Sequence, residues 1–292
     1  MTANDLSFRY LEDITDGFSH ARKIGSGGYG EVYKGVEKTG RELAVKKLYQ
    51  IPEIDDTQFK NEFNNLTKIQ HPNTVRHVEY NGEYVFGKTI YRVLCFEYLQ
   101  NGSLDEHLYE ESRELDWCTR YKIIKGICEG LYYLHGRWKE SIYHLDLKPA
   151  NILLDRNMVP KIADFGLSRL FGGEQTHTTR NCIGTELSNN ACFLSYPSIH
   201  GSLIDISTAV QIIAGRSGYS KCVDTAPHQF IELATSMYNA SLEEDCQQVR
   251  RCIEIALRCV EVDRQKRPTI RDIIRELKQT ETNSSMSSWN QV

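Results

Sequence analysis

Three short strings in this 292-residue sequence place charged and amide side chains where they could act together on a phosphate group. Tyr143-His144-Leu145-Asp146-Leu147-Lys148-Pro149-Ala150-Asn151 sets a lysine two residues, and an asparagine five residues, beyond an aspartate. Ile162-Ala163-Asp164-Phe165-Gly166 adds a second aspartate 18 residues after the first. Two carboxylates and an amide are oxygen ligands of the kind Mg²⁺ takes alongside phosphate oxygens. Upstream, Gly25-Ser26-Gly27-Gly28-Tyr29-Gly30 fits G-x-G-x-x-G, in which missing side chains let backbone N–H groups approach phosphate. Taken alone, that pattern also fits dinucleotide folds or a plain glycine-rich hairpin. The residues that follow, Glu31–Val36, alternate and are β-branched, which predicts a strand where a dinucleotide fold needs a helix. Leu43-Ala44-Val45-Lys46 then buries a lysine in an apolar strand, which is costly unless the ammonium is paired. An edge-strand lysine snorkelling to water is the bland alternative. Glu62, on a predicted helix, is the expected partner of Lys46.

These groups need elements to hold them. Short β-type runs are predicted at Ala21–Ile24, Glu31–Val36, Glu42–Leu48, Tyr84–Val85 and Tyr91–Glu97, with Thr39-Gly40 as a hairpin turn. Phe59, Phe63, Leu66 and Ile69 predict one intervening helix over 56–69. After Asn101-Gly102-Ser103 the pattern turns helical, with Trp117–His135, Gln248–Val260 and Thr269–Leu277 as amphipathic stretches, the last opened by Pro268. Phe8, Leu11, Ile14 and Phe18 give the first twenty residues a weak helical pattern, and the Ser/Asn-rich end reads as unfolded. The expected organisation is a lead at 1–20, a small β-rich part at 21–98, a larger helical part at 99–279 and a disordered tail at 280–292.

The ordered set of glycine-rich loop, strand lysine, Asp146 string and Asp-Phe-Gly resembles the protein-kinase signature. The chain is similar to the cytoplasmic kinase domain of plant receptor-like kinases, and Lys148 resembles their serine/threonine-specific branch. The resemblance implies an α+β, bilobal fold with a β-rich N-lobe and a helical C-lobe. It also implies transfer of the γ-phosphoryl group of ATP, with Mg²⁺, to Ser/Thr hydroxyls of protein substrates in signal transduction. By motif position, Gly25, Gly27 and Gly30 would fold over the phosphates, with Ile24 beside them. Lys46 would hold the α/β-phosphates and Glu62 would fix Lys46. Val32, Ala44 and Leu153 would sandwich adenine, Phe96 would stand as gatekeeper, and the Glu97–Leu99 backbone would meet the adenine edge. Asp146 would orient the substrate hydroxyl, Lys148 would stabilise the moving phosphoryl group, and Asn151 and Asp164 would hold Mg²⁺.

Two departures stand out. Leu145 occupies the position of an arginine that pairs with a phosphorylated activation loop in many kinases, so weak dependence on such phosphorylation is expected. The stretch 186–211 has about the expected length but the wrong content: Cys192 stands where the family has a glutamate. Arg267 resembles the buried arginine that pairs with that glutamate, so an unpaired buried guanidinium is a further expectation. The alternative reading is therefore an ATP-binding pseudokinase or scaffold with impaired substrate positioning.

Composition bounds the rest. A net charge of −4 offers no electrostatic footprint for nucleic acid. No apolar run is long enough to span a bilayer, and the first residues lack a secretory leader. Nine scattered cysteines without a CxxC pair read as reduced thiols, with Cys252 and Cys259 in a helix core. The expected location is cytoplasmic, with peripheral attachment at the plasma membrane through a receptor complex as the finer expectation.

Overall fold

The computed structural model describes residues 8–27, 29–49, 68–86, 89–109, 115–136, 142, 144, 147–165, 212–213, 243–259, 261 and 263–287. They divide into two compact units. One runs to Gln100 and includes Asp164 and Phe165; the other holds Asn101–Ala163 and the described residues from 212 onward.

The first unit is built on a five-stranded antiparallel sheet. Its strands are β1 (Lys23–Gly27), β2 (Gly30–Val36), β3 (Glu42–Leu48), β4 (His77–Phe86) and β5 (Thr89–Glu97), in the order β1-β2-β3-β5-β4. The β2–β3 turn forms at Thr39-Gly40 as expected: Gly40 sits at φ +82°, its N–H donates to the Glu37 carbonyl at 2.8 Å, and Glu37 N–H donates to the Arg41 carbonyl at 2.9 Å. Strand alternation sends Leu43 and Val45 to one face, where they join Val93 and Cys95. Helix α1 (Phe8–Ile14) covers that face with Phe8, Leu11 and Ile14. Within the expected lead, Phe8, Leu11 and Ile14 thus contribute to the core of this unit. The predicted helix over 56–69, apart from Lys68 and Ile69, falls outside the described residues.

The second unit carries α2 (Leu104–Tyr109), α3 (Trp117–Gly136), α4 (Glu243–Cys259) and α5 (Ile270–Ser287), with a two-stranded ribbon of β6 (Ile152–Leu154) and β7 (Pro160–Ile162). Asp116 caps α3 by accepting the Thr119 N–H at 2.7 Å, and those Thr119 hydrogen bonds hold its carboxyl below the usual range. The expected apolar face of α3 is buried at Tyr121, Ile124, Ile127, Cys128, Leu131 and Leu134. Trp117 Nε1 donates to Gln248 Oε1 of α4 at 3.1 Å. Between α4 and α5, Glu276 receives Arg251 at 3.2 Å and also Arg258. Among the described residues Cys95, Cys118, Cys128, Cys252 and Cys259 are free thiols. Burial pushes Cys252 up to about 12 and Cys259 up to about 11.

Three expectations differ in detail. Pro268 does not open α5; Thr269 caps it, exchanging hydrogen bonds with Asp272 at 2.6 and 3.2 Å. The helix continues to Ser287, into the segment expected as an unfolded tail, because Thr280 Oγ1 donates to the Leu277 carbonyl at 2.7 Å and meets the Tyr121 hydroxyl at 3.2 Å. Arg267 is not a stranded buried charge: it is half-buried and its Nε donates to the Glu261 carbonyl at 2.8 Å. A backbone carbonyl next to solvent takes the place of the missing carboxylate.

Candidate functional site

In the first unit, register alone assembles a surface. Val32 lies opposite Lys46, and Lys46 opposite Leu94. Lys34 lies opposite Ala44, Ala44 opposite Phe96, and Phe96 opposite His77. Directly opposed residues share a face, so Val32, Ala44, Lys46, Leu94 and Phe96 stand together on the side of the sheet away from α1. Lys46 is 3% exposed, and its ammonium lies 2.8 Å from both carboxylate oxygens of Asp164. Asp164 is the more open partner, with 34% of its side chain exposed. Its φ of +57° is left-handed, a conformation aspartate tolerates better than most residues.

The glycine-rich turn sorts into two kinds of glycine. A Cβ on Gly30 would meet the Lys47 carbonyl oxygen at 2.3 Å, so this glycine is required by the close approach of β3. A Cβ on Gly25 or Gly27 would meet nothing within 4 Å. Ile24, 47% exposed, stands beside them on β1. At the end of β5, Glu97 N–H donates to the Arg76 carbonyl at 3.1 Å and its carboxylate accepts Arg76 N–H at 3.0 Å. Leu99 is buried, and Lys34 Nζ sits 4.5 Å over the Tyr98 ring.

In the second unit, the turn Pro149–Asn151 leads into β6, whose Leu153 bridges Ser103. Asn151 N–H donates to the Lys148 carbonyl at 2.9 Å, and Ala163 N–H donates to the Asn151 carbonyl at 2.8 Å. The Ala163 carbonyl contacts His144 Nε2 at 2.7 Å, and His144 is 3% exposed. Both backbone groups of the residue preceding Asp164 are therefore pinned. Lys148 is exposed. Asp146, Glu62, Leu145, Gly28 and all of 186–211 lie outside the described residues.

Sequence reasoning gave no role to His144 or His77. His77 is half-buried with its ring centroid 4.4 Å from that of Phe96, and desolvation pushes it down to about 4. It is the first residue of β4, whose interspersed polar residues leave little strand signal at that end.

The family model described as "Protein kinase domain" matches residues 18–277. The chain belongs to the protein kinase domain family. This kinase domain is 37% identical over 288 residues to "Cysteine-rich receptor-like protein kinase 10" of Arabidopsis thaliana, covering 92% of this chain and 42% of the relative. It is 36% identical over 285 residues to "Cysteine-rich receptor-like protein kinase 6" of the same plant, covering 91% and 41%. The chain thus spans about two fifths of the length of these curated relatives. Among solved structures it resembles the pseudokinase domain of BIR2, an immune regulator of the RLK/Pelle family, at a TM-score of 0.71 and 22% identity, covering 96% of this chain and 86% of that one. It also resembles the pseudokinase DRIK1 at 0.65 and 21% identity, covering 96% and 97%. At these identities the likeness establishes the bilobal kinase fold. Among the described residues no helix is long and apolar enough to cross a membrane.

Protein kinases as a family use ATP and Mg²⁺. The donor set here fits both. Within the first unit Lys46 offers an ammonium and Asp164 carboxylate oxygens, and a Cβ on Gly25 or Gly27 would meet nothing within 4 Å. Among the described residues no group of three or more His, Cys, Asp or Glu side chains is arranged to hold a metal. Mg²⁺ needs no such cage, since it takes one or two carboxylates together with substrate phosphates.

Proposed function

We propose that this domain transfers the γ-phosphoryl group of ATP to serine or threonine hydroxyls of proteins, in plant signal transduction. The observation that carries the reading is the buried Lys46 ammonium held against the Asp164 carboxylate on the sheet face that also bears Val32 and Ala44. Lys46 would hold the α/β-phosphates and Glu62 would fix Lys46. Gly25, Gly27 and Gly30 would cover the phosphates, with Ile24 at their edge. Val32, Ala44 and Leu153 would bracket adenine and Phe96 would close its inner end. Because Glu97 N–H is already engaged by Arg76, the adenine edge would fall to the Glu97 carbonyl and the Leu99 backbone. Asp146 would orient the acceptor hydroxyl and take its proton, and Lys148 would neutralise charge on the moving group. Asn151 and Asp164 would hold Mg²⁺, which when bound neutralises the phosphate oxygens. Most of the rate enhancement then comes from positioning and charge neutralisation.

Receptor-like relatives suggest a membrane receptor complex as partner, with the domain on the cytoplasmic side, peripheral to the plasma membrane. A second reading, an ATP-binding pseudokinase or scaffold, draws on Cys192 standing in place of the family's glutamate within 186–211.

The test is transfer from γ-labelled ATP to a generic protein substrate, with Asp146→Asn as control. Transfer lost in the control supports the kinase reading. Thermal stabilisation by Mg-ATP without transfer supports the scaffold. Absence of both overturns nucleotide binding itself.

A further inference from the structure

The family match begins at residue 18, yet Phe8, Leu11 and Ile14 supply three of the seven buried residues in the core cluster of the first unit. Helix α1 is seated by a specific vacancy. A Cβ on Gly35 would lie 3.0 Å from Ile14 Cδ1 and 3.2 Å from Val45 Cγ2, so the helix packs where β2 offers no side chain. The chain then turns back onto the sheet through left-handed residues, with φ of 54° at Asp16, 65° at Gly17 and 54° at Phe18. Thr15, fully buried, secures this return: its hydroxyl donates to the Leu11 carbonyl at 2.5 Å and accepts Phe18 N–H at 3.2 Å. The Phe8 ring stacks on Tyr91 at 4.8 Å and Phe18 meets Tyr33 edge-on at 5.3 Å. Lys47 Nζ completes the group 4.8 Å over Phe18.

The helix side of β3 therefore holds residues 43, 45 and 47, and the other side holds Ala44 and Lys46. On β3, the side chains that pack under α1 alternate with ones that face the proposed nucleotide site. Leu43, Val45, Val93 and Cys95, all fully buried, would meet water if α1 left. A strand that re-sorts its faces to hide them moves Lys46, because side-chain direction has a period of two.

We propose that α1 is a positioning element for the nucleotide site: by filling the sheet face opposite Lys46 it holds β3 in place, and nucleotide affinity falls when it undocks. This rests on the nucleotide reading above. Cys95 supplies a reporter independent of activity, since its thiol lies fully buried in the same cluster.

The experiment uses the full chain and the series Ile14→Val, Leu11→Ala and Leu11→Met. It reads the Mg-ATP Kd by calorimetry and the rate of Cys95 alkylation by N-ethylmaleimide, resolved by mass spectrometry. Leu11→Ala is expected to label faster at Cys95 and to bind Mg-ATP at least about fivefold more weakly. Leu11→Met should restore both, and Ile14→Val, the mildest change, should fall between wild type and Leu11→Ala. By reciprocity, saturating Mg-ATP should slow Cys95 labelling of the wild type. A Kd within twofold of wild type across the series overturns the proposal, whatever the thiol does. So does a weakened Kd with Cys95 still fully protected. A wild-type chain with no affinity for Mg-ATP instead overturns the nucleotide reading, and this proposal with it.

Discussion

The three motif glycines should respond differently to the same small change. On Gly30 an alanine Cβ would sit 2.3 Å from the Lys47 carbonyl oxygen and 2.9 Å from Leu48 Cα, where ordinary contact begins near 3.4 Å. Both neighbours are backbone, so β2 and β3 must separate by about 1 Å at this point. Such overpacking costs about 1–3 kcal/mol, and a weakened ladder bond adds about 0.5–1.5 kcal/mol. At about 2–4 °C per kcal/mol for a chain of this size, Gly30→Ala should melt roughly 3–18 °C below wild type. Gly25→Ala and Gly27→Ala meet open space and should stay within about 0.5 kcal/mol, or about 2 °C. They should nonetheless lose part of the Mg-ATP-induced rise in melting temperature, because a methyl group obstructs close approach of backbone to phosphate. Differential scanning fluorimetry with and without Mg-ATP reads both effects. A Gly30→Ala protein as stable as wild type would refute the steric argument. An equal loss at Gly25 or Gly27 without nucleotide would refute the division of the glycines into two kinds.

His77 is neutral in the fold, pushed by burial from 6.5 to about 4. Its contribution is complete above about 6.5 and is lost as the pH falls toward 4, because the unfolded chain then binds a proton that the folded one resists. Urea midpoints at pH 7 and 4.5 should differ more for wild type than for His77→Leu, with up to about 3 kcal/mol at stake. Arg120 is 5% exposed and donates to the carbonyls of Leu115 at 2.8 Å, Ile212 at 3.3 Å and Ile213 at 3.4 Å. Arg120→Met should lower stability by about 2–4 kcal/mol in urea denaturation, and an unchanged midpoint would contradict that anchoring. Lys46→Met and Asp164→Asn should each abolish stabilisation by Mg-ATP. Without nucleotide, Asp164→Asn should melt lower than Lys46→Met, since it leaves the 3%-exposed ammonium facing an amide, whereas methionine removes the charge. The reverse order would show that Asp164 does not stabilise Lys46.

Much of the sheet and its site-bearing face was legible because period-two alternation is a local signal. Val32, Ala44 and Lys46 can be assigned to one face from their spacing alone, and Thr39-Gly40 marks the turn that sets their register. Residues whose role comes from distant partners were not legible. Phe8, Leu11 and Ile14 have helical spacing, but nothing in their neighbourhood points to Gly35 as their seat. Arg267 was read through a family position, and the carbonyl that satisfies it, on Glu261, carries no sequence signature. The early start of β4 is hidden by the polar Arg76 and His77, one held by Glu97 and the other by ring contact with Phe96. The end of α5 was placed too early because serine, asparagine and threonine are weak helix formers. Tertiary hydrogen bonding overrides that preference.

The anchoring of α5 has a practical consequence for where this polypeptide can be cut. The match to the family model ends at Leu277, a residue 1% exposed whose carbonyl accepts the Tyr121 hydroxyl at 2.7 Å. Terminating translation there would place a new carboxylate in that buried spot, at the desolvation cost of an isolated charge. Extending the boundary through Ser287 keeps the peptide neutral at that point and retains the threonine that ties down the final turns.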